Sequence, residues 1–369
     1  MIKTNRYLSS TLFAEDQKQK HALQVKNILT KLGCHPTTAF AIFCLLLVAV
    51  QSLSKQGFVS SSFVTAIGST IIFVIVGLGF CLLLGYSALA SLGTAGFIGI
   101  GAYITYYCLA QWGLHIGYAF GLTIVVALVI GMLVGYISLR IEGIYLAIVT
   151  LGVSEIIRKV LSALCDTIKL KGSQITLFGN EAIRLKTDTI FYIMIAILFL
   201  LMVITQNLMK SPTGRAMLAM KNSTSAAQAF GISLLKYRLM AFCFSIVYAS
   251  VAGMLFMLYI RYVSNSSSTL FSLSTSLNIL GAVIIGGTKS IWGTVGGIFI
   301  IYGIDKMFLQ DIAFFRNNPT LITLFCGLLV VLVVMFYPGG LAQLVLECRI
   351  KIKLLRKKRR EALYGQDLG

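Results

Sequence analysis

Residues 210–238 read KSPTGRAMLAMKNSTSAAQAFGISLLKYR. This long polar segment has apolar runs on both sides. It carries Lys210, Arg215, Lys221, Lys236 and Arg238 and no acid. Between membrane-crossing runs such a segment lies in water, and unopposed positive charge places it on the cytoplasmic face. Arg215 to Phe230 is rich in Ala, Met and Leu, all good helix formers, which predicts a helix there. Ser211-Pro212 supplies a start and Gly231 a stop. Ala216, Met217, Met220, Ala227 and Phe230 can line one side of that helix. A short small-residue helix held out of the membrane has the shape to dock a soluble partner. The plainer reading is a cytoplasmic loop with a helical turn.

The rest of the chain is strongly apolar. Hydrophobic residues make up 57% and charged residues 12%, with a mean hydropathy of +0.89. Ordinary soluble domains carry about 25% charged residues. Repeated apolar runs of about 17–25 residues predict an all-α, polytopic membrane bundle. A net charge of +19 could suggest nucleic acid. The charges gather in loops and tails, however, without the basic stripe and interleaved aromatics of a nucleic-acid binder. The tail RIKIKLLRKKRR, 349–360, contains eight Lys and Arg and suits anionic lipid headgroups. Eight cysteines include no CxxC pair and read as small buried hydrophobes. Three dispersed histidines offer no metal site, so no metal or cofactor is expected. The first 36 residues are polar and contain acids, unlike a cleaved signal peptide. The expected organisation is a basic cytoplasmic segment 1–37, a transmembrane domain 38–340 and a basic cytoplasmic tail 341–369.

Spans are expected near 38–54, 64–84, 117–138, 189–207, 239–260 and 320–337. Between 64–84 and 117–138 lies a further one, GYSALASLGTAGFIGIGAYITYY, 85–107. Gly93, Gly96, Gly99 and Gly101 sit there among Ser91, Thr94, Ala95 and Ala102. Glycine costs about 1 kcal/mol per helix position relative to Ala and gains nothing against lipid. Two uses remain open: close helix packing, or a broken helix that offers backbone groups to a substrate near the midplane. GxxxG spacings at Gly117/Gly121 and Gly131/Gly135 suit close helix contact. Glu155 and Arg158, three apart, can pair at a span end. They are either an interfacial pair or the acceptor and donor for a zwitterionic substrate.

Residues 277–305, LNILGAVIIGGTKSIWGTVGGIFIIYGID, read as two short spans joined near Lys289. GAVIIGGTKS nearly spells a phosphate-binding loop, but Lys289 comes too late and no strand–helix context exists. The N-terminus, the 210–238 loop and the tail are all basic, so an even number of spans must lie on each side of the loop. Six and four satisfy this, giving about ten spans with both termini cytoplasmic.

Four stretches carry a resemblance. Ser211, Pro212, Gly214, Arg215, Ala216, Ala219, Ala226, Ala227, Gly231 and Ile232 match the pattern S-P-x-G-R-A…A…A-A-x-x-x-G-I. Gly85, Tyr86, Ser91, Leu92, Gly93, Phe97, Gly99, Ile100, Gly101, Ala102 and Tyr103 match a second. Gly143, Ile144, Tyr145, Ala147, Val149, Thr150, Leu151, Glu155, Ile156 and Arg158 match a third. Gly286, Gly287, Ser290, Gly293 and Gly297 match a fourth. All four resemble the branched-chain amino-acid permease family of ABC importers. The departures are Thr94 for a His, Thr294 for a Pro, LKGSQIT at 170–176 for a T-G-G-x-D-G-like loop, and no Glu before Ala226.

The resemblance implies a permease subunit without an ATPase motif of its own, which is not an enzyme. It implies transport of branched-chain amino acids across a bacterial inner membrane. The expected partners are cytoplasmic ABC ATPases, which bind the ATP, a periplasmic substrate-binding protein, and a second permease or a second copy of this chain. The implied substrate path runs past Ser91, Gly93, Thr94, Gly99, Gly101, Tyr145, Thr150, Glu155 and Arg158. The implied ATPase contact is Gly214, Arg215, Ala226, Ala227 and Gly231. Urea, short amides and other amino acids are the rival cargoes. A secondary transporter would need intramembrane acids, which are scarce here. A membrane-embedded enzyme lacks any His/Cys/Asp cluster.

Overall fold

The computed structural model describes residues 36–57, 60–139, 143–171, 187–264, 271–309, 319–337, 339–344, 346, 347 and 351. The 1–35 segment, Arg140, Glu142, the 172–186 loop and almost all of the 349–360 cluster lie outside them. The chain divides into two compact units, Met1–Ala49 and Val50–Gly369, and the packing below lies within the second.

Apolar runs become helices because only intrasegment hydrogen bonds satisfy the backbone in lipid. Helix α1 spans Pro36–Lys55. Helix α2, Ser61–Phe80, continues as a π-helical turn, Cys81–Tyr86. Helix α3, Thr94–Tyr106, ends in a second π-turn, Tyr107–Gln111. Helices α4, Ile116–Ser138, α5, Ile144–Leu164, and α6, Thr187–Lys210, follow. Two short helices, α7 at Pro212–Asn222 and α8 at Thr224–Ala229, occupy the polar segment. Then come α9, Leu234–Ile260, α10, Leu273–Gly286, α11, Ile291–Ile298, and α12, Pro319–Phe336. Two π-turns, Phe299–Gly303 and Asp305–Leu309, extend α11.

Among the described residues, and apart from α7, α8 and the short helical stretch 340–344, ten helical segments lie at the positions read as spans. Five are individually long and apolar enough to cross a bilayer: Thr37–Lys55, Ser62–Tyr86, Ile116–Ser138, Thr187–Lys210 and Leu234–Ile260. The chain is a helical polytopic membrane protein.

Helix α9 is the central strut. From Ala241 to Tyr259 almost every residue is buried, as expected of a helix apolar on all sides. It packs against α2, α3 and α4. Helix α2 is interior as well, whereas α4 buries little of its surface. At the other end of the bundle from the polar segment, Gln51 Nε2 donates to Asp188 Oδ1 at 3.0 Å and Lys55 pairs with the same carboxylate at 3.6 Å. One detail lies outside an all-helical reading. Thr167–Lys169 and Tyr262–Ser264 pair as a short antiparallel ladder, which satisfies backbone groups where α5 and α9 leave the bundle.

Candidate translocation and docking sites

The glycine-rich span does contain a break, which ends on Gly93 and precedes Gly96, Gly99 and Gly101. After the π-turn and Ser87, residues 88–93 are unwound, and Ala88 holds φ +55°, a left-handed backbone rare for a residue with a side chain. Helix α3 then restarts at Thr94. Gly96, Gly99 and Gly101 lie inside the regular helix, where they serve packing. A Cβ on Gly101 would strike the Ser250 carbonyl of α9, and one on Gly253 of α9 would strike the Ile98 carbonyl. A Cβ on Gly96 would lie 2.9 Å from Ser154 Cα, and one on Gly93 2.8 Å from the Thr150 carbonyl. Gly99 meets only side chains, those of Leu161 and Phe271. Residues Thr94 to Tyr103 are all buried.

The unwound stretch and the first turn of α3 expose backbone N–H groups that have no partner within the helix. Hydroxyls from neighbouring helices receive them. Leu92 N–H donates to Thr150 Oγ1 at 3.1 Å and Gly96 N–H to Ser154 Oγ at 2.9 Å, both on α5. Ala95 N–H donates to Ser276 Oγ of α10 at 3.0 Å, and Gly93 N–H to Ser91 Oγ at 3.3 Å. The hydroxyls of Ser87 and Thr94 are buried with no hydrogen-bond partner among the described residues. An unmet buried hydroxyl costs about 1–3 kcal/mol, so these two are the polar groups here with capacity left for water or solute.

The sequence-predicted path residues therefore separate. Ser91, Gly93, Thr94 and Thr150 come together around the break. Gly99 and Gly101 lie further along α3 in helix–helix contacts. Tyr145 is 70% exposed and belongs to another face. Glu155 and Arg158 pair at 2.8 Å, as their spacing allows, and not at the end of their helix. Helix α5 runs on to Leu164, because Leu161 and Leu164 continue the apolar pattern past the charges. The pair sits past the middle of this 21-residue helix, half-exposed on its flank. Ser154 and Ser276 were not singled out from the sequence. The signal for Ser154 was its place four residues after Thr150, on the same face.

The polar segment is also built differently from the single helix expected. Ser223 adopts extended φ −158° and ψ 114°, ending α7 and capping α8, where its side chain accepts from Ala226 N–H. The run Asn222-Ser223-Thr224-Ser225 favours such caps over helix interior. At the start, Ser211 Oγ accepts from Gly214 N–H at 3.2 Å, with Pro212 in the first turn. Gly214 is buried against the Leu208 and Met209 carbonyls, leaving no room for a Cβ. Gly231 ends α8 at φ +76°, the left-handed stop that glycine adopts freely. Met217, Met220 and Ala227 are buried against the protein's own bundle, whereas Arg215, Ala226 and Phe230 face outward. The five candidate contact residues thus divide into inward Gly214 and Ala227 and outward Arg215, Ala226 and Gly231.

Lys221 of α7 reaches back into the bundle. Its Nζ donates to the Leu84 carbonyl at 3.1 Å and the Gly85 carbonyl at 2.9 Å. These are terminal carbonyls of the π-turn, which the helix itself leaves open. Hydrogen bonds from a charged donor are worth roughly 1.5–3 kcal/mol. Burial lowers the Lys221 pKa, and the neighbouring Lys289 charge lowers it further. Lys289 belongs to the tight tip between α10 and α11, where Gly287 holds φ +103°. Those two helices close on each other through Gly286, Gly293 and Gly297, whose Cβ positions are filled by facing backbone. This is the join near Lys289 expected from the sequence.

The described residues thus form a membrane protein of apolar helices, one broken and internally hydroxyl-lined, with a capped pair of polar helices at one end. Residues 62–334 match the family described as branched-chain amino acid transport system / permease component, and the chain belongs to that family. It is 30% identical over 352 residues, 87% of this chain and 79% of the relative, to the high-affinity branched-chain amino acid transport system permease protein LivM of Salmonella typhimurium. Against LivM of Escherichia coli the identity is 31%, over 74% of this chain and 68% of the relative. A more distant relative is the autoinducer 2 import system permease protein LsrC of an Enterobacter species, 27% identical over 53% of this chain and 57% of the relative. No solved structure matches the chain. Members of the family are permease components and not enzymes.

Proposed function

We propose that this chain is the permease subunit of an ABC importer in a bacterial inner membrane, carrying branched-chain amino acids. The observation that carries the reading is the 30% identity to a LivM permease over 87% of the chain. Cytoplasmic ATPases dock on the outward face of α7 and α8, at Arg215, Ala226 and Phe230. Their closure moves the bundle between outward- and inward-open states. A periplasmic binding protein delivers the solute, and a second permease subunit, or a second copy of this chain, completes the pore. The solute passes the break at 87–94, where the Ser87 and Thr94 hydroxyls have unmet hydrogen-bonding capacity. Both termini are cytoplasmic.

The likeness to autoinducer 2 import permeases favours a second cargo, autoinducer 2 itself. Reconstitution with the partner ATPases and binding protein tests both. Uptake of labelled leucine, isoleucine or valine supports the first reading, and uptake of autoinducer 2 alone replaces it. The docking face is tested by Ala226→Glu and Arg215→Glu, expected to weaken ATPase association at unchanged thermal stability. Ala227→Glu buries an unpaired charge beneath that face, at a cost of several kcal/mol, and is expected to lower stability first. Normal ATPase association in both outward variants would move the contact elsewhere.

A further inference from the structure

We infer that Lys221 is the positioning residue through which movement of the α7–α8 pair reaches the broken helix, by holding the Leu84 and Gly85 carbonyls. This rests on the importer reading above.

Most contacts between α7 and the bundle are apolar, through Met217 and Met220. Such contacts slide without fixing register. Lys221 makes a directional one, a single ammonium donating to two consecutive carbonyls at 3.1 and 2.9 Å. Those carbonyls close the π-turn just before the unwound stretch 88–93. Leu83 O, one residue earlier, is taken by the N–H groups of Ser87 and Leu89. Lys221 therefore supplies, from a separate helix, the polar closure for Leu84 and Gly85.

Gly85 has no freedom to absorb a displacement locally. Its Cβ position is occupied by the Thr288 carbonyl at the tip between α10 and α11, and Cys81 Sγ donates to the same carbonyl at 3.1 Å. A push on Leu84 and Gly85 passes to two neighbours. One is the 88–93 stretch, with its left-handed Ala88, leading to the N–H groups held by Thr150, Ser154 and Ser276. The other is the Gly287–Lys289 tip. The tip in turn touches Gly339 and Ala342 after α12. One lysine thus joins the helices that meet the motor to both broken helices of the bundle.

The test uses the full complex with ATPases and binding protein in proteoliposomes, comparing wild type with Lys221→Met, Lys221→Gln and Lys221→Arg. The readout is leucine taken up per ATP hydrolysed. Lys221→Met is expected to assemble and hydrolyse ATP, with that ratio falling about tenfold, the scale of one coupling interaction. Lys221→Arg, whose guanidinium can reach both carbonyls, is expected to restore most of it. A wild-type ratio in any assembled variant lacking the cation overturns the inference, as does a proportional loss of hydrolysis and uptake. Should Lys221→Met fail to assemble, Lys221→Gln is read in its place. Failure of both to assemble makes Lys221 a structural cap only and also overturns it. A wild-type complex that does not form, or takes up no solute, defeats the importer reading and leaves Lys221 out of the question.

Discussion

Helices α3 and α4 are both apolar and glycine-bearing, and they use glycine in opposite ways. At α3, Gly101 stands against the Ser250 backbone, Gly96 against Ser154, and the N-cap Gly93 against Thr150, while Gly99 meets side chains. In α4 the GxxxG pair Gly131 and Gly135 meets side chains of α9, Ile246, Leu239 and Phe242, while Gly117 and Gly121 have nothing within 4 Å of a Cβ. Equal spacing thus marks an interface within this chain at one end of α4 and not at the other. The lesson is that a glycine motif specifies the possibility of close approach, and the neighbour decides whether it is used.

The contrast predicts a graded series. Gly101→Val should be the most damaging change, since neither α3 nor α9 backbone can withdraw. Overpacking of this kind costs roughly 1–3 kcal/mol or more, read as loss of folded protein in detergent and of uptake. Ser154→Ala should come next. It leaves the Gly96 N–H with only its 3.2 Å bond to the Gly93 carbonyl, a loss of about 0.5–1.5 kcal/mol, lowering Tm while leaving ATPase association intact. Gly99→Ala should cost less, because the Leu161 and Phe271 side chains can shift, and most uptake should survive it. Gly117→Ala and Gly121→Ala should be neutral or slightly stabilising, by about 0.5–1 kcal/mol from helix propensity. A drop in complex assembly with unchanged monomer Tm in the last pair would assign that end of α4 to a partner subunit. Equal Tm losses at Gly101 and Gly121 would erase the distinction between the two helices.

The division of labour in the polar segment follows the same logic. Arg215 and Ala226 on one side, Met217 and Ala227 on the other, were all legible as members of a short helix. Their sides were not, because Ser223 breaks the helix and rotates α8 relative to α7. The break depends on a cap hydrogen bond that several nearby Ser and Thr residues could have supplied.

The sequence alone determined the helical membrane class, the places of its long apolar helices and the paired short helices around Lys289. Those follow from one-dimensional properties: apolar run length, charge and the places where glycine and proline stop a helix. Its four motifs also carried the family. Only the tertiary structure decided that the break lies at 88–93, ending on Gly93 and ahead of Gly96, Gly99 and Gly101. It alone showed that Ser154 and Ser276 receive the freed N–H groups, that the Glu155–Arg158 pair lies within α5, and that Lys221 reaches Leu84 and Gly85. Each of these joins residues far apart in the chain. Which hydroxyl or ammonium meets an open backbone group depends on how helices cross, and no local pattern of residues encodes that crossing.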